Sequence, residues 1–364
     1  MSIRRPMLPI ILGLVAVAAI AIVPAQAAKS VATATTAATA FGYVWADQPT
    51  AASYTPSTFY QSNSTGAKNT VTRSSAGWYT VTFPGLARSE SGGTVNVTAY
   101  DQGTSACEVT SWGQDGNGGI SVGVLCTDTN GSPADSYFDA TYSVPPTSGL
   151  AGYVWADSPT SASYTPSPYY QFNSKGLTNT IARNGTGSYV VRLPGLGSSH
   201  GTVKVTAYGG SGNRCKVTGW GPSAGAQFVG VACFNAAGAL ADSYFTMTFA
   251  NKRNLLGSGK NYGYAWADQP TASGTYTPDL AYSKTKPSGP ITITRTGTGA
   301  YTVEFTELGT GYKSDVQVTA YGLGSNECRV GGWSPTGSGQ AVSVFCYTTA
   351  GVRADTSFTI QFIR

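Results

Sequence analysis

The same stretch of about 110 residues occurs three times in this chain. Gly42-Tyr43-Val44-Trp45-Ala46-Asp47 returns as Gly152-Tyr153-Val154-Trp155-Ala156-Asp157 and as Gly263-Tyr264-Ala265-Trp266-Ala267-Asp268. Val97-Thr98-Ala99-Tyr100 matches Val205-Thr206-Ala207-Tyr208 and Val318-Thr319-Ala320-Tyr321. Cys107, Cys215 and Cys328 are each followed five residues later by Trp112, Trp220 and Trp333, and a second cysteine follows at Cys126, Cys233 and Cys346. A period this long excludes a short-repeat solenoid and gives each copy enough residues for its own core. The reading is a string of bead-like domains at 41–144, 152–250 and 262–364, joined by linkers at 145–151 and 251–261.

Within a copy, short alternating runs are separated by Gly, Asn, Ser and Pro at intervals of about ten residues, the pattern of an antiparallel sandwich or barrel. No stretch sustains a 3.6-residue period. The expected fold class is therefore all-β: three tandem antiparallel β-sandwich domains, immunoglobulin-like or jelly-roll-like. In the first copy, strands are expected near Phe41–Ala46, Phe59–Asn63, Thr70–Arg73, Trp78–Phe83, Thr94–Tyr100, Cys107–Trp112, Ser121–Thr127 and Ser136–Ser143. Side-chain alternation puts Tyr79, Val81, Phe83, Val95 and Val97 on the core side and Thr80, Thr82, Asn96 and Thr98 on the other.

Arg4 and Arg5, an uncharged apolar stretch from Met7 to Val23, and Ala25-Gln26-Ala27 have the form of a secretory signal peptide over residues 1–27. The tract 28–40, rich in Ala and Thr, reads as a flexible leader. Export makes two cysteines per copy a disulfide expectation: Cys107–Cys126, Cys215–Cys233 and Cys328–Cys346. Zinc is the rival, but two thiols per copy and one histidine in the whole chain do not supply its ligands. The expected location is extracellular or on the cell envelope, with no membrane segment once the signal is removed. The formal charge is +5, and +3 without residues 1–27, with no cluster of Lys or Arg, which argues against a nucleic-acid partner.

With Tyr54-Thr55-Pro56, Asn69-Thr70-Val71-Thr72-Arg73 and their counterparts around Tyr164, Arg183, Tyr276 and Arg295, the chain resembles tandem-repeat proteins exported by actinobacteria. The resemblance covers Phe41 to Arg364 and implies export and modularity. It assigns no activity and no site residues.

For chemistry, the recurring acids are Asp47, Asp157 and Asp268, with Asp135, Asp242 and Asp355. Paired carboxylates perform glycoside hydrolysis, but Arg73, Arg183 and Arg295 recur too and offer these acids ion-pair partners, and Asp135 follows the Asn130-Gly131 turn. A serine triad has only His200 to draw on, in the glycine- and serine-rich turn 197–201. Asp128-Thr129-Asn130-Gly131 resembles the start of a calcium loop, but its counterparts lose the oxygen ligands, so a hairpin turn explains it. No catalytic residue, metal or cofactor is expected.

Aromatic surface remains. Trp112 lies an odd step from Cys107, and Tyr100 an odd step from Val97, so on regular strands both face away from the core. Trp112, Trp220, Trp333, Tyr100, Tyr208 and Tyr321 are thus the candidate binding residues, with flat rings suited to sugars among Thr and Asn neighbours. A β-bulge near Trp112 would instead return its ring to the core. Trp45, in phase with Phe41 and Tyr43, reads as core. The expected function is a non-enzymatic module that binds a neutral polysaccharide or cell-wall polymer through tandem avidity. The alternatives are an adhesin or protease inhibitor, which would present Phe59, Tyr60 or Leu86 to an extracellular protein, and a glycan hydrolase.

Overall fold

A computed structural model of the chain describes residues 39–254, 256 and 261–364. The expected signal peptide, nearly all of the leader and part of the 251–261 linker lie outside the described residues. No helix of the described residues is long and apolar enough to cross a membrane.

The first copy forms nine strands: β1 (Ala40–Ala46), β2 (Ser53–Tyr54), β3 (Gln61–Asn63), β4 (Thr70–Ser75), β5 (Trp78–Phe83), β6 (Thr94–Tyr100), β7 (Ala106–Gln114), β8 (Ile120–Thr127) and β9 (Tyr137–Val144). Eight fall where the alternation predicts them. The ninth, β2, is two residues long and leaves no periodic signal. The other copies repeat this series.

The arrangement departs from separate beads. In each copy, strands equivalent to β2, β4, β5, β8 and β7 lie in one sheet, and those equivalent to β3, β1, β9 and β6 lie in another. Each sheet has nine strands, five from one copy and four from another. One runs from Thr275–Tyr276 of the third copy through Ile291–Gly297, Ala300–Phe305, Gly339–Tyr347 and Glu327–Thr336, then continues as β6, β9, β1 and β3 of the first. Within a copy every pairing is antiparallel, but copies join in parallel: Tyr208 pairs with Val109, Tyr321 with Val217, and Tyr100 with Val330. Backbone bonds Gly209 N to Val109 O, Gly322 N to Val217 O and Asp101 N to Val330 O close each junction at 2.8–2.9 Å. First joins second, second joins third and third joins first, so the described residues form one ring-closed body. The sheets end in edge strands of two or three residues, too short to template pairing with another chain.

Each copy keeps an apolar core between its two groups of strands. In the first copy Val44, Val95, Val97 and Phe138 meet Val71, Tyr79, Val81, Phe83, Val122 and Val124; parity predicts the faces of β5, β6 and β8, but β1 is reversed, with Val44 rather than Trp45 on the core side. The opposite face of β6 and β9 is buried as well, against the other copies, which is why polar residues populate the interior. Thr98, Thr206 and Thr319 form a cyclic set. Val97 N donates to Thr206 Oγ1, Val205 N to Thr319 Oγ1 and Val318 N to Thr98 Oγ1, at 3.1–3.2 Å. The hydroxyls of Thr206 and Thr319 in turn donate to the carbonyl of the same valine at 3.3 Å, whereas that of Thr98 has its shorter acceptor in Gln317 Oε1 at 2.8 Å. Such bonds add about 1 kcal/mol each, but leaving any of these groups buried and unpaired costs about 1–3 kcal/mol, so the threonine ring fixes the cyclic register.

The three disulfides pair as expected, each directly across neighbouring antiparallel strands: Cys107–Cys126, Cys215–Cys233 and Cys328–Cys346. Three disulfides with no free cysteine among the described residues suit an oxidising, extracellular environment.

Candidate aromatic binding site

The candidate rings meet across the junctions rather than within a copy. A bulge between Val109 and Ser111 shifts the register of β7, so that Trp112 pairs with Val122 and turns to the core side. The expectation of a surface indole fails for this reason: Trp112 is 8% exposed and belongs to the first copy's core cluster. The same bulge recurs at Val217/Gly219 and Val330/Gly332, and Trp220 and Trp333 are half-buried. Tyr100, Tyr208 and Tyr321 do point away from their own cores, and they pack on the cores of the neighbouring copies.

Four rings assemble at each junction. Trp112 lies 5.6 Å from Trp155, 5.1 Å from Tyr170 and 5.5 Å from Tyr208, centroid to centroid. Trp220 lies 5.9 Å from Trp266, 5.3 Å from Tyr282 and 5.5 Å from Tyr321. Trp333 lies 5.7 Å from Trp45 and 5.5 Å from Tyr100, and Trp45 is 4.3 Å from Tyr60. Most contacts are edge-to-face, the arrangement that the ring quadrupoles favour. Trp45 is thus half-buried between copies rather than in its own core, because it shares a strand face with Tyr43 while Val44 and Ala46 take the core side. Tyr60, Tyr170 and Tyr282 were missed by the sequence reading as cluster members. Their recurrence after each Tyr-Thr-Pro was the available signal.

The clusters differ in how they are covered. At the first, Trp112 Nε1 donates to Gly92 O at 2.9 Å, and Gly92 N donates to Tyr169 O at 2.7 Å. At the second, Trp220, Trp266, Tyr282 and Tyr321 line a cavity of about 50 Å³. In all three copies the Trp-Ala-Asp segment carries buried polar atoms without a hydrogen-bond partner: Trp45, Trp155 and Trp266 at Nε1, and Asp47, Asp157 and Asp268 at Oδ1. Burial raises the carboxyl pKa of Asp47 and Asp268. An unpaired indole donor and an unpaired carboxylate acceptor two residues apart therefore repeat beside each aromatic cluster. Native interiors leave few such atoms unsatisfied.

The other acids have different work. Arg73 Nε and Nη2 donate to the two oxygens of Asp135 at 2.8 Å, and Gly77 N and Tyr79 Oη donate to Asp135 Oδ1 at 2.9 and 3.0 Å. The clamp repeats at Arg183–Asp242 and Arg295–Asp355. The guanidinium holds the Asp135 and Asp242 carboxyls down at about 2, the opposite of what a general acid needs. His200 is exposed. Asp128 Oδ1 accepts the N–H groups of Asn130 and Ser132, making the expected turn. Of the residues considered for a protein partner, Phe59 is 58% exposed and touches the ring of exposed Tyr312, whereas Leu86 is buried under Gly42. Leu86 follows Pro84-Gly85 in the turn, and its side chain is part of the first copy's core cluster.

No family model, curated protein or solved structure matches the chain.

Proposed function

We propose that the chain is a secreted, non-enzymatic protein of the cell envelope or extracellular space that binds a neutral polysaccharide or cell-wall polymer at three equivalent junction sites. The signal peptide at residues 1–27 and the disulfides support export, and each copy is read as a β-sandwich unit of the ring. The observation that carries the reading is the threefold recurrence of an unpaired Trp Nε1 and an unpaired Asp Oδ1 beside a four-ring cluster. A sugar hydroxyl both donates and accepts, and its ring C–H face stacks on an indole, so the two halves of the site match one ligand chemistry. Multivalency then comes from rigid spacing within one body, not from flexible linkers between beads.

The test is co-sedimentation of residues 39–364 with insoluble polysaccharides and purified cell walls. Selective retention is expected, reduced at least tenfold when Asp47, Asp157 and Asp268 are all changed to Ala in a protein with unchanged circular dichroism. No retention on any polymer contradicts the reading. Retention that survives the triple change but is lost with Phe59→Ala and Tyr312→Ala assigns binding to the exposed ring pair instead.

A further inference from the structure

The strands β6, Thr202–Tyr208 and Asp315–Tyr321 contact one another at the centre of the ring, and where these three axial strands end the copies line a second cavity, of about 70 Å³. Its walls are Val97–Ala99, Val205–Ala207 and Val318–Ala320 together with the segments that lead into Cys107, Cys215 and Cys328. Three of its lining side chains are cations and one is an anion: Arg214, Lys216 and Arg329 against Glu327. Arg214 Nε lies 3.0 Å from Glu327 Oε2, and Arg329 Nη2 lies 3.4 Å from Glu327 Oε1. One carboxylate thus serves two guanidiniums, and Lys216 has no counter-charge among them. Glu108, at the position equivalent to Lys216 and Arg329, does not line the cavity; its Oε1 accepts Gly212 N at 2.5 Å.

The cations are deeply buried, Arg214 at 7%, Lys216 at 3% and Arg329 at 2% exposure. Lys216 Nζ, Arg214 Nη1, and Arg329 Nε and Nη1 have no hydrogen-bond partner. Burial lowers the pKa of Lys216 to about 8 and lowers that of Arg329 as well. Charged donors this deep are normally paired, because an uncompensated buried charge costs several kcal/mol.

We propose that this axial cavity binds a tetrahedral oxyanion, a phosphate or sulfate group, against Arg214, Lys216 and Arg329. A dianion cancels the surplus of two positive charges, and its oxygens match the guanidinium donors in geometry. The cavity has room for several waters or one such group. Ser105, Asn213 and Asn326, equivalent positions in the three copies, add neutral donors to its lining.

The experiment compares thermal unfolding of residues 39–364 in sodium phosphate, sodium sulfate, methyl phosphate and sodium chloride at matched ionic strength. Phosphate and sulfate are expected to raise Tm over chloride by about 5 °C at a hundredfold excess over Kd. Lys216→Met and Arg329→Met are each expected to remove most of that increment, whatever their own Tm. Equal protection by methyl phosphate identifies the terminus of an ester as the occupant, and protection by the inorganic ions alone identifies the free ion; both carry the proposal. Equal Tm values in all four salts for the unaltered chain overturn it, as does a full phosphate increment in both variants.

Discussion

Expressed alone, the middle copy, residues 150–251, will behave as an unfolded chain or as a homotrimer, and not as a folded monomer. Its strand Thr202–Tyr208 takes the parallel edge of β7, and its strand Arg214–Ser223 offers an edge to Asp315–Tyr321 of the third copy. Without neighbours both edges are open and unpaired, with nothing to blunt them. The face that carries Lys204, Thr206, Thr246 and Thr248 is buried only because two other copies cover it. Tyr208 loses the ring of Trp112, and Trp220 loses those of Trp266, Tyr282 and Tyr321. The cyclic bonds allow one exception: three identical copies can rebuild the same ring, since each junction is equivalent. Light scattering after size exclusion, with far-ultraviolet circular dichroism, distinguishes the cases. A folded monomer would contradict the shared-sheet account.

The second large effect concerns one buried acid. Thr246 Oγ1 donates to Val95 O at 2.7 Å, and Thr359 Oγ1 donates to Val203 O at 2.6 Å. The equivalent residue in the first copy is Asp139, which is fully buried with neither oxygen partnered. Burial first, and then the nearby buried Asp315, raise its pKa well above the ordinary carboxylate range. A protonated Asp139 has the hydroxyl donor that threonine supplies in the other two copies. Because its folded-state pKa is raised, the stability tied to its proton is complete below the unfolded pKa. That stability falls as the pH rises through the folded value and is flat above it. Asp139→Thr is therefore expected to stabilise the protein by about 3 kcal/mol at pH 8, with the gain shrinking toward pH 4. Urea unfolding at the two pH values measures the difference. A variant that is less stable than the parent by the same amount at both would show that Asp139 is not the proton-bearing counterpart of the threonines.

The clamp residues act in the other pH direction. Asp135 and Asp242 have depressed pKa values, so their contribution is present above the unfolded value and is lost as the pH falls toward about 2. Comparing parent with Asp139→Thr cancels this term, which both proteins share.

Strand positions and the core face were legible in the sequence because alternation reports one buried face directly: Tyr79, Val81 and Phe83 lie where parity puts them. The disulfides were legible from spacing and export. The junctions were not, for two physical reasons. Asn96 and Thr98 look solvent-facing, yet they are buried, because the copies turn these polar faces toward one another around the ring, where Thr98, Thr206 and Thr319 bond across the junctions. A bulge is one extra residue with no compositional mark, and it reverses the face of Trp112. Repeats read as independent beads whenever the contacts between them are made by polar and aromatic residues that also suit a surface. The partners of Trp112 are a case in point: Trp155, Tyr170 and Tyr208 all belong to the next copy, and only a three-dimensional closure brings them together.

Ring closure of the three copies is the claim on which the junction sites, the threonine set and the axial cavity all depend. Small-angle X-ray scattering of residues 39–364 tests it most directly. A single compact body of this length has a radius of gyration of about 20 Å, and that value with one maximum in the pair-distance distribution is the expected result. An extended particle, with a radius near 30 Å or more and separate maxima for three beads, would contradict it.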